Sequence, residues 1–224
     1  MLDKNAIVTI DGPSGAGKST ISRKLANRLH FTYLDTGAMY RAVGLKAKRA
    51  GIDLDDTEAL RAMLSQIDLR FAPNGDDDVL VILDGEDVSQ AIRTAEMGLV
   101  ASKVSANPAV REKLSLLQQE MGRQGGIVAE GRDMGTVVFP DAAVKFYLDA
   151  APEERARRRC EQLLEKGLPA ADFQEILAQI IKRDRDDSAR ALAPLRPAED
   201  AIIVDSSKMD IDSVLDHMIH CCNK

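Results

Sequence analysis

Tryptophan is absent from the 224-residue chain, and aromatic residues make up only 4% of it. Hydrophobic residues still reach 45%, near the share in ordinary globular proteins, so the core is expected to be built from aliphatic side chains. Cysteine is equally scarce: Cys160, Cys221 and Cys222. An odd number at this spacing builds no disulfide framework and points to a reducing compartment. No apolar run approaches the ~18 residues that suggest a membrane span. Residues 1–5 run straight into a strand-like stretch without a secretory-leader pattern, so a cytoplasmic protein away from membranes is expected. The net charge of −6 argues against a general affinity for nucleic acid. Internal repeats and low-complexity segments are also lacking.

Positive charge is present, but in clusters. Arg155, Arg157, Arg158 and Arg159 form one group; Arg183, Arg185, Arg190 and Arg196 form another. Arginine clusters in an acidic chain predict a small anionic ligand held in a cleft. The order of elements predicts an α/β fold. Residues 6–11 read as a buried strand, 12–17 as a glycine-rich loop, and 18–29 as a helix with Ile21, Leu25 and Leu29 on one stripe. Further strands are expected at 31–35, 126–130, 144–149 and 201–205. Most are continuous apolar runs, the pattern of a parallel sheet covered on both faces. Residues 67–71 and 79–83, with turn signals at 74–78 and 84–85, read instead as a small antiparallel insert. Asp76, Asp77 and Asp78 are read as a solvated loop, because they lack the ligand spacing of a calcium site. Asn107-Pro108 and Pro152 with Glu153 and Glu154 open two more helices.

Gly12-Pro13-Ser14-Gly15-Ala16-Gly17-Lys18-Ser19 matches G-x-x-x-x-G-K-[ST] in full. Glycines let consecutive backbone N–H groups turn toward phosphate oxygens, and the following helix offers its positive end to the same oxygens. Lys18 is suited to bridge the β- and γ-phosphates of a nucleoside triphosphate, and the Ser19 hydroxyl to ligate Mg²⁺. Thr20 completes the ATP-binding stretch. The motif by itself does not separate kinase, switch and motor.

A phosphoryl acceptor needs its own anion site, and arginine supplies bidentate donors for one. Thr36 and Arg41 follow the second strand. Glu130, Arg132 and Asp133 follow a later one, with Glu130 suited to orient a metal's water shell. If residues 183–190 are helical, Arg183, Asp187 and Arg190 share a stripe, with Asp187 held between two guanidinium groups. Arg155, Arg158 and Arg159 share a helix face that Arg157 opposes. Lys166-Gly167 and Leu168-Pro169 then suggest a flap that carries charge over the phosphates and excludes water. Exposed helices laced with salt bridges would give the same arginine patterns.

These residues resemble the bacterial cytidylate kinases along nearly the whole chain. The resemblance rests on residues 10–19, on Asp35-Thr36-Gly37-Ala38-Met39-Tyr40-Arg41, on Gly131-Arg132-Asp133-Met134-Gly135 continuing to Pro140, and on residues 183–190 followed by Ala193-Pro194-Leu195. It implies one P-loop nucleoside monophosphate kinase domain over residues 1–224, with a β insert at about 63–95 and a lid at about 153–190. It also implies ATP-dependent phosphorylation of CMP, and of dCMP, in pyrimidine metabolism, with Mg²⁺ as cofactor; no coupling element is evident in the sequence, so a monomer is expected. Lys18, Arg132, Arg158 and Arg183 would be catalytic, and Arg155 and Arg159 would bind ATP. Thr36, Arg41 and Arg132 would hold the acceptor phosphate. Ser102, Arg111 and Asp133 would read the cytosine. Arg183 and Asp187 would contact the sugar, with Arg190 near the base. Two positions depart from the common pattern: Thr36 stands where serine also occurs, and Glu130 where aspartate is common.

Outside the resemblance, His217, His220 and Cys221 share a helix face but lack a second ligand pair, so a plain helix end is expected there. Cys160 is read as a buried structural thiol rather than a reactive one.

Overall fold

A computed structural model describes residues 2–74, 79–165, 167 and 172–223. Along the chain come β1 (Ile7–Asp11), α1 (Lys18–Leu29), β2 (Thr32–Asp35), α2 (Thr36–Arg49), α3 (Thr57–Ser65), β3 (Leu69–Pro73), β4 (Val79–Leu83) and β5 (Glu86–Asp87). They are followed by α4 (Ala95–Val104), α5 (Pro108–Met121), β6 (Ile127–Gly131), β7 (Val144–Asp149), α6 (Pro152–Glu165), α7 (Phe173–Ser188), β8 (Ile202–Asp205) and α8 (Ile211–Cys222). A single π-helical turn, Met134–Val138, separates β6 from β7. Two compact units divide the chain: Met1–Leu34 with Gln124–Lys224, and Asp35–Arg123.

The first unit is built on a five-stranded sheet in the order β2-β6-β1-β7-β8. Parallel pairing sets Ile10 of β1 beside Glu130 of β6 and Phe146 of β7. Side chains alternate across a strand, so Val8 and Ile10 face one side and Thr9 and Asp11 the other. The Val8–Ile10 side packs against Ile21 and Leu25 of α1 and Val214 and Met218 of α8. The core is aliphatic, as the composition predicts, with Phe146 its one fully buried ring. The expected strands form within one or two residues of their predicted limits, and α1 spans the predicted residues. Cys160 is only partly buried, against the small cluster of Ala156, Ile176 and Ile180 between α6 and α7.

One helix end differs from expectation. The stripe argument carries a helix through Arg190, but α7 stops at Ser188. The Asp187 carbonyl accepts the N–H of buried Leu195 at 2.9 Å, the place the Ala191 N–H would take in a longer helix. Arg190 therefore lies beyond the helix, although it still reaches the Asp187 carboxylate.

In the second unit α2 packs on α4 and α3 on α5, and β3, β4 and β5 form an antiparallel sheet. The alternating segment becomes β3, shifted to Leu69–Pro73 by its pairing with Val79–Leu83. Asp84 (φ +51°) and Gly85 (φ +88°) make the second expected turn. The first expected turn falls largely at 75–78, outside the described residues, as do residues 166 and 168–171 of the expected flap. Among the described residues no helix is long and apolar enough to cross a membrane.

Candidate active site

Residues 12–19 join β1 to α1. Gly12 takes φ +146°, and a Cβ there would run into the carbonyl oxygen of Leu148 on β7, so only glycine lets the loop leave the sheet along this path. The helices α2, α3, α5, α7 and α8 each begin with a side chain capping a first-turn N–H. The first turn of α1 has Gly17 at its N-cap and no side-chain cap. Its N–H groups are left for an anion.

Lys18 is buried and donates from Nζ to the Pro13 carbonyl at 2.6 Å. Burial and the charge of Arg132 push its pKa well down, with Glu130 acting in the opposite sense. A polyanion beside it would restore the full charge. Glu130, buried at the end of β6, accepts a 2.5 Å hydrogen bond from the Tyr33 hydroxyl. Ser19 and Thr20 are exposed at the start of α1.

Arg132 donates from Nε to Asp187 at 3.0 Å and from Nη1 to the Gly131 carbonyl at 3.1 Å. Asp187 is 1% exposed and also accepts from Arg190. Burial works to raise the Asp187 pKa, but the guanidinium groups of Arg132, Arg190 and Arg183 outweigh it and hold the carboxyl below its ordinary value. The expected arrangement, an aspartate held among arginines, is thus present, and Arg132 joins it. Arg132, 55 residues away, and Arg190 donate to Asp187, and Arg183 adds its charge to that carboxylate and donates to the Ser14 hydroxyl at 3.3 Å.

The cluster at 155–159 does not present one uniform face. Arg155 is buried, and its guanidinium bonds to the Ala150 carbonyl at 2.8 Å, the Ser14 carbonyl at 3.0 Å and Asp184 at 2.6 Å. It braces the loop against α6 and α7. Arg158 bonds to Glu154 and to Ser206, and Ser206 reaches the Ala16 carbonyl at 3.4 Å. The outward Arg157 pairs with Glu154 and Glu161, as the opposed-face reading predicts. Arg159 is half-buried.

The second unit carries the other expected residues. Asp35 caps α2 by accepting from the Ala38 N–H at 2.8 Å and pairs with Arg41 at 3.1 Å. Thr36 is buried at the helix start. Arg111 of α5 is buried, bonds to the Ser105 carbonyl at 3.1 Å, and lies with its guanidinium carbon 5.8 Å from the Tyr40 ring centroid. Ser102 is half-buried on α4.

Sequence reasoning did not find Asp11, Tyr33, Tyr40, Asp184 or Ser206. Ser206 follows the carboxyl end of β8, so the strand-end rule could have flagged it. The others carry no local signal. At the far end, His217 Nε2 lies 3.8 Å from Cys221 Sγ, and no group of three metal-ligating side chains gathers among the described residues.

A sequence model of the family described as cytidylate kinase matches residues 8–224. A cytidylate kinase of Syntrophotalea carbinolica is 50% identical over 218 residues, covering 97% of this chain and 92% of that protein. A cytidylate kinase of Pasteurella multocida is 49% identical over 214 residues, covering 96% and 93%. Among solved structures, a shikimate kinase from Bacteroides thetaiotaomicron superposes with TM-score 0.51 at 12% identity, covering 98% of this chain and 99% of that one. A gluconokinase from Sinorhizobium meliloti gives TM-score 0.51 at 12% identity, covering 99% and 94%. At that identity these two indicate a shared fold alone.

Proposed function

The chain belongs to the cytidylate kinase family, and we propose that it transfers the γ-phosphoryl group of ATP to CMP, and also to dCMP. The observation that carries this reading is the set of charges around residues 12–19: buried Lys18 beside the loop, half-buried Arg132 and Arg183 near it, and buried Asp187 holding Arg132. A nucleotide switch needs one phosphate site, whereas this density of fixed positive charge suits two phosphates brought together.

The transfer is in-line. An oxygen of the CMP phosphate attacks the γ-phosphorus, the bond from that phosphorus to the β–γ bridging oxygen breaks, and ADP and CDP result. The attacking oxygen is already largely ionised near neutral pH, so neither a nucleophilic side chain nor a strong general base is required. Catalysis then consists of positioning and charge neutralisation. Residues 12–20 cradle the ATP phosphates, with Lys18 on the β- and γ-groups. Arg132, Arg158 and Arg183 balance charge on the group in transfer, and Arg159 adds to the ATP side. Arg155 serves ATP through the Ser14 carbonyl that it braces.

Thr36, Arg41 and Arg132 are the proposed holders of the acceptor phosphate. Ser102, Arg111 and Asp133 read the cytosine, with Arg183, Asp187 and Arg190 on sugar and base. Tyr40, beneath Arg111, keeps that guanidinium in place. The exposed Ser19 hydroxyl and the nearby Glu130 are oxygen donors only, a set that fits Mg²⁺. Ser19 would hold the ion, Glu130 would order its water shell, and bound Mg²⁺ would neutralise β- and γ-phosphate charge. We assign the enzyme to the cytoplasm as a monomer serving pyrimidine nucleotide metabolism.

The test is steady-state ADP formation from Mg-ATP with CMP, dCMP, UMP, AMP, GMP and dTMP offered separately. Strong preference for CMP and dCMP is expected. Preference for another monophosphate would overturn the base assignment. The absence of any acceptor-stimulated turnover would replace the kinase with a nucleotide-binding switch.

A further inference from the structure

Asp11 is the last residue of β1 and directly precedes Gly12, yet it belongs to neither the phosphate loop nor the arginine set. Its side chain is 4% exposed. Both carboxylate oxygens are used: Oδ1 accepts the Met134 N–H at 2.9 Å and Oδ2 accepts the Gly135 N–H at 2.8 Å. These donors stand 123 and 124 residues further along the chain. They open the π-helical turn Met134–Val138, immediately after Arg132 and Asp133. No side chain within that turn's own approach caps it, so the cap comes from another strand.

The same face of the sheet crowds the turn as well. A Cβ on Gly135 would come within 2.9 Å of the Thr9 hydroxyl and 3.2 Å of the Lys145 side chain. Gly135 therefore lies close against β1 and β7. Two parallel hydrogen bonds to one carboxylate fix the orientation of successive peptide planes, where a single bond would leave a rotation free. Through those planes Asp11 sets the direction in which residues 132 and 133 leave β6.

We infer that Asp11 is a positioning residue for the acceptor: it locks the Arg132–Asp133 segment to the strand that begins the phosphate loop. The inference rests on the kinase reading above for its consequence, and on the two hydrogen bonds for its geometry. A carboxylate is a costly choice for this place. Burial drives its pKa up to about 6, against the pull of the Met134 and Gly135 N–H groups, with Asp133 adding to the rise and Lys18 opposing it. A neutral residue would fill the space at lower cost to the fold but would not accept two N–H groups symmetrically.

The test is a double-mutant cycle of Asp11→Asn with Arg132→Ala, read as kcat and KM for CMP and for ATP in the full-length protein. Asp11→Asn alone is expected to lower kcat/KM for CMP by about 10- to 100-fold, with KM for ATP shifting much less. In the Arg132→Ala background the same substitution should cost less than about threefold, because the group it positions is already gone. Full additivity would overturn the inference, as would equal losses for both substrates. If Asp11→Asn does not fold, Asp11→Glu enters the same cycle with the charge kept and the oxygens displaced. Loss of fold in both would also overturn it, since Asp11 would then be a folding residue. Amide hydrogen exchange in the ligand-free protein separates this question from the choice of acceptor. Faster exchange at Met134 and Gly135 in Asp11→Asn, with Val128 and Ala129 of β6 unchanged, supports the contact whether or not CMP is the substrate; unchanged exchange at both overturns it.

Discussion

The two units differ in how much charge they bury: among the described residues the second unit buries Arg111, and the phosphate-loop unit buries far more. In the phosphate-loop unit Asp11, Lys18, Glu130, Asp133, Arg155 and Asp187 are all buried and interlocked. In the second unit the ion pairs Lys48–Glu96, Arg49–Glu86, Arg61–Glu112 and Lys103–Asp55 all have both side chains about half-exposed or more. Exposed pairs contribute little, because water screens them and two long side chains must be ordered to make them. Buried pairs are held in one geometry at a desolvation cost. A fold that keeps so much charge in one unit out of water uses it for something other than stability.

Changes that break this contrast should be felt most in the buried set. Lys18→Met should leave the fold intact, since burial already disfavours the charged form, while kcat falls by roughly 2.7–4 kcal/mol of transition-state stabilisation. A folded Lys18→Met protein that keeps full turnover would remove the phosphate loop from the mechanism.

Asp11 gives a pH signature. Its folded-state pKa of about 6 lies above the ordinary 3.8. Between these values the folded state holds a proton that the unfolded state has lost, so its contribution to stability falls as pH rises. Across pH 4 to 7 wild type should lose about 2 kcal/mol relative to Asp11→Asn, from roughly 1.36 kcal/mol per pKa unit. Urea unfolding of both proteins at a series of pH values measures it; parallel curves would contradict the buried ionised carboxylate.

Arg155→Ala should cost about 2–3 kcal/mol of stability, because it strands Asp184 and the carbonyls of Ser14 and Ala150 together. The ATP affinity of the folded fraction should fall with it. A stable variant with unchanged ATP binding would make the brace dispensable.

Gln118 sharpens the contrast from the other side. It is a fully buried neutral amide in the second unit, with no hydrogen-bond partner for either terminal atom among the described residues. Gln118→Leu should raise stability by about 1–2 kcal/mol; a loss in urea unfolding would mean that the amide is satisfied by internal water. At the small end, Lys48→Ala should change stability by less than about 0.5 kcal/mol, with no change in turnover.

Sequence alone determined the β1–loop–α1 opening, the parallel strands and the antiparallel insert. Each is written in local spacing: glycines at fixed offsets, apolar runs of strand length, a two-residue alternation. It also marked Lys18, Arg132 and Asp187 as functional, the last two by lying near strand ends or on an arginine-rich helix. Arg190 lies just past the end of α7, yet it reaches the Asp187 carboxylate with which the stripe argument paired it. Which partner each arginine takes was decided only by the tertiary structure. Arg155 and Arg158 lie three residues apart and look alike in sequence, yet one is sealed under the phosphate loop and the other tied to Ser206. Asp11 reads as the last polar residue of a strand until the turn 123 residues later is packed against it. Such roles depend on partners that only chain folding brings within hydrogen-bonding distance, and no local pattern can carry them.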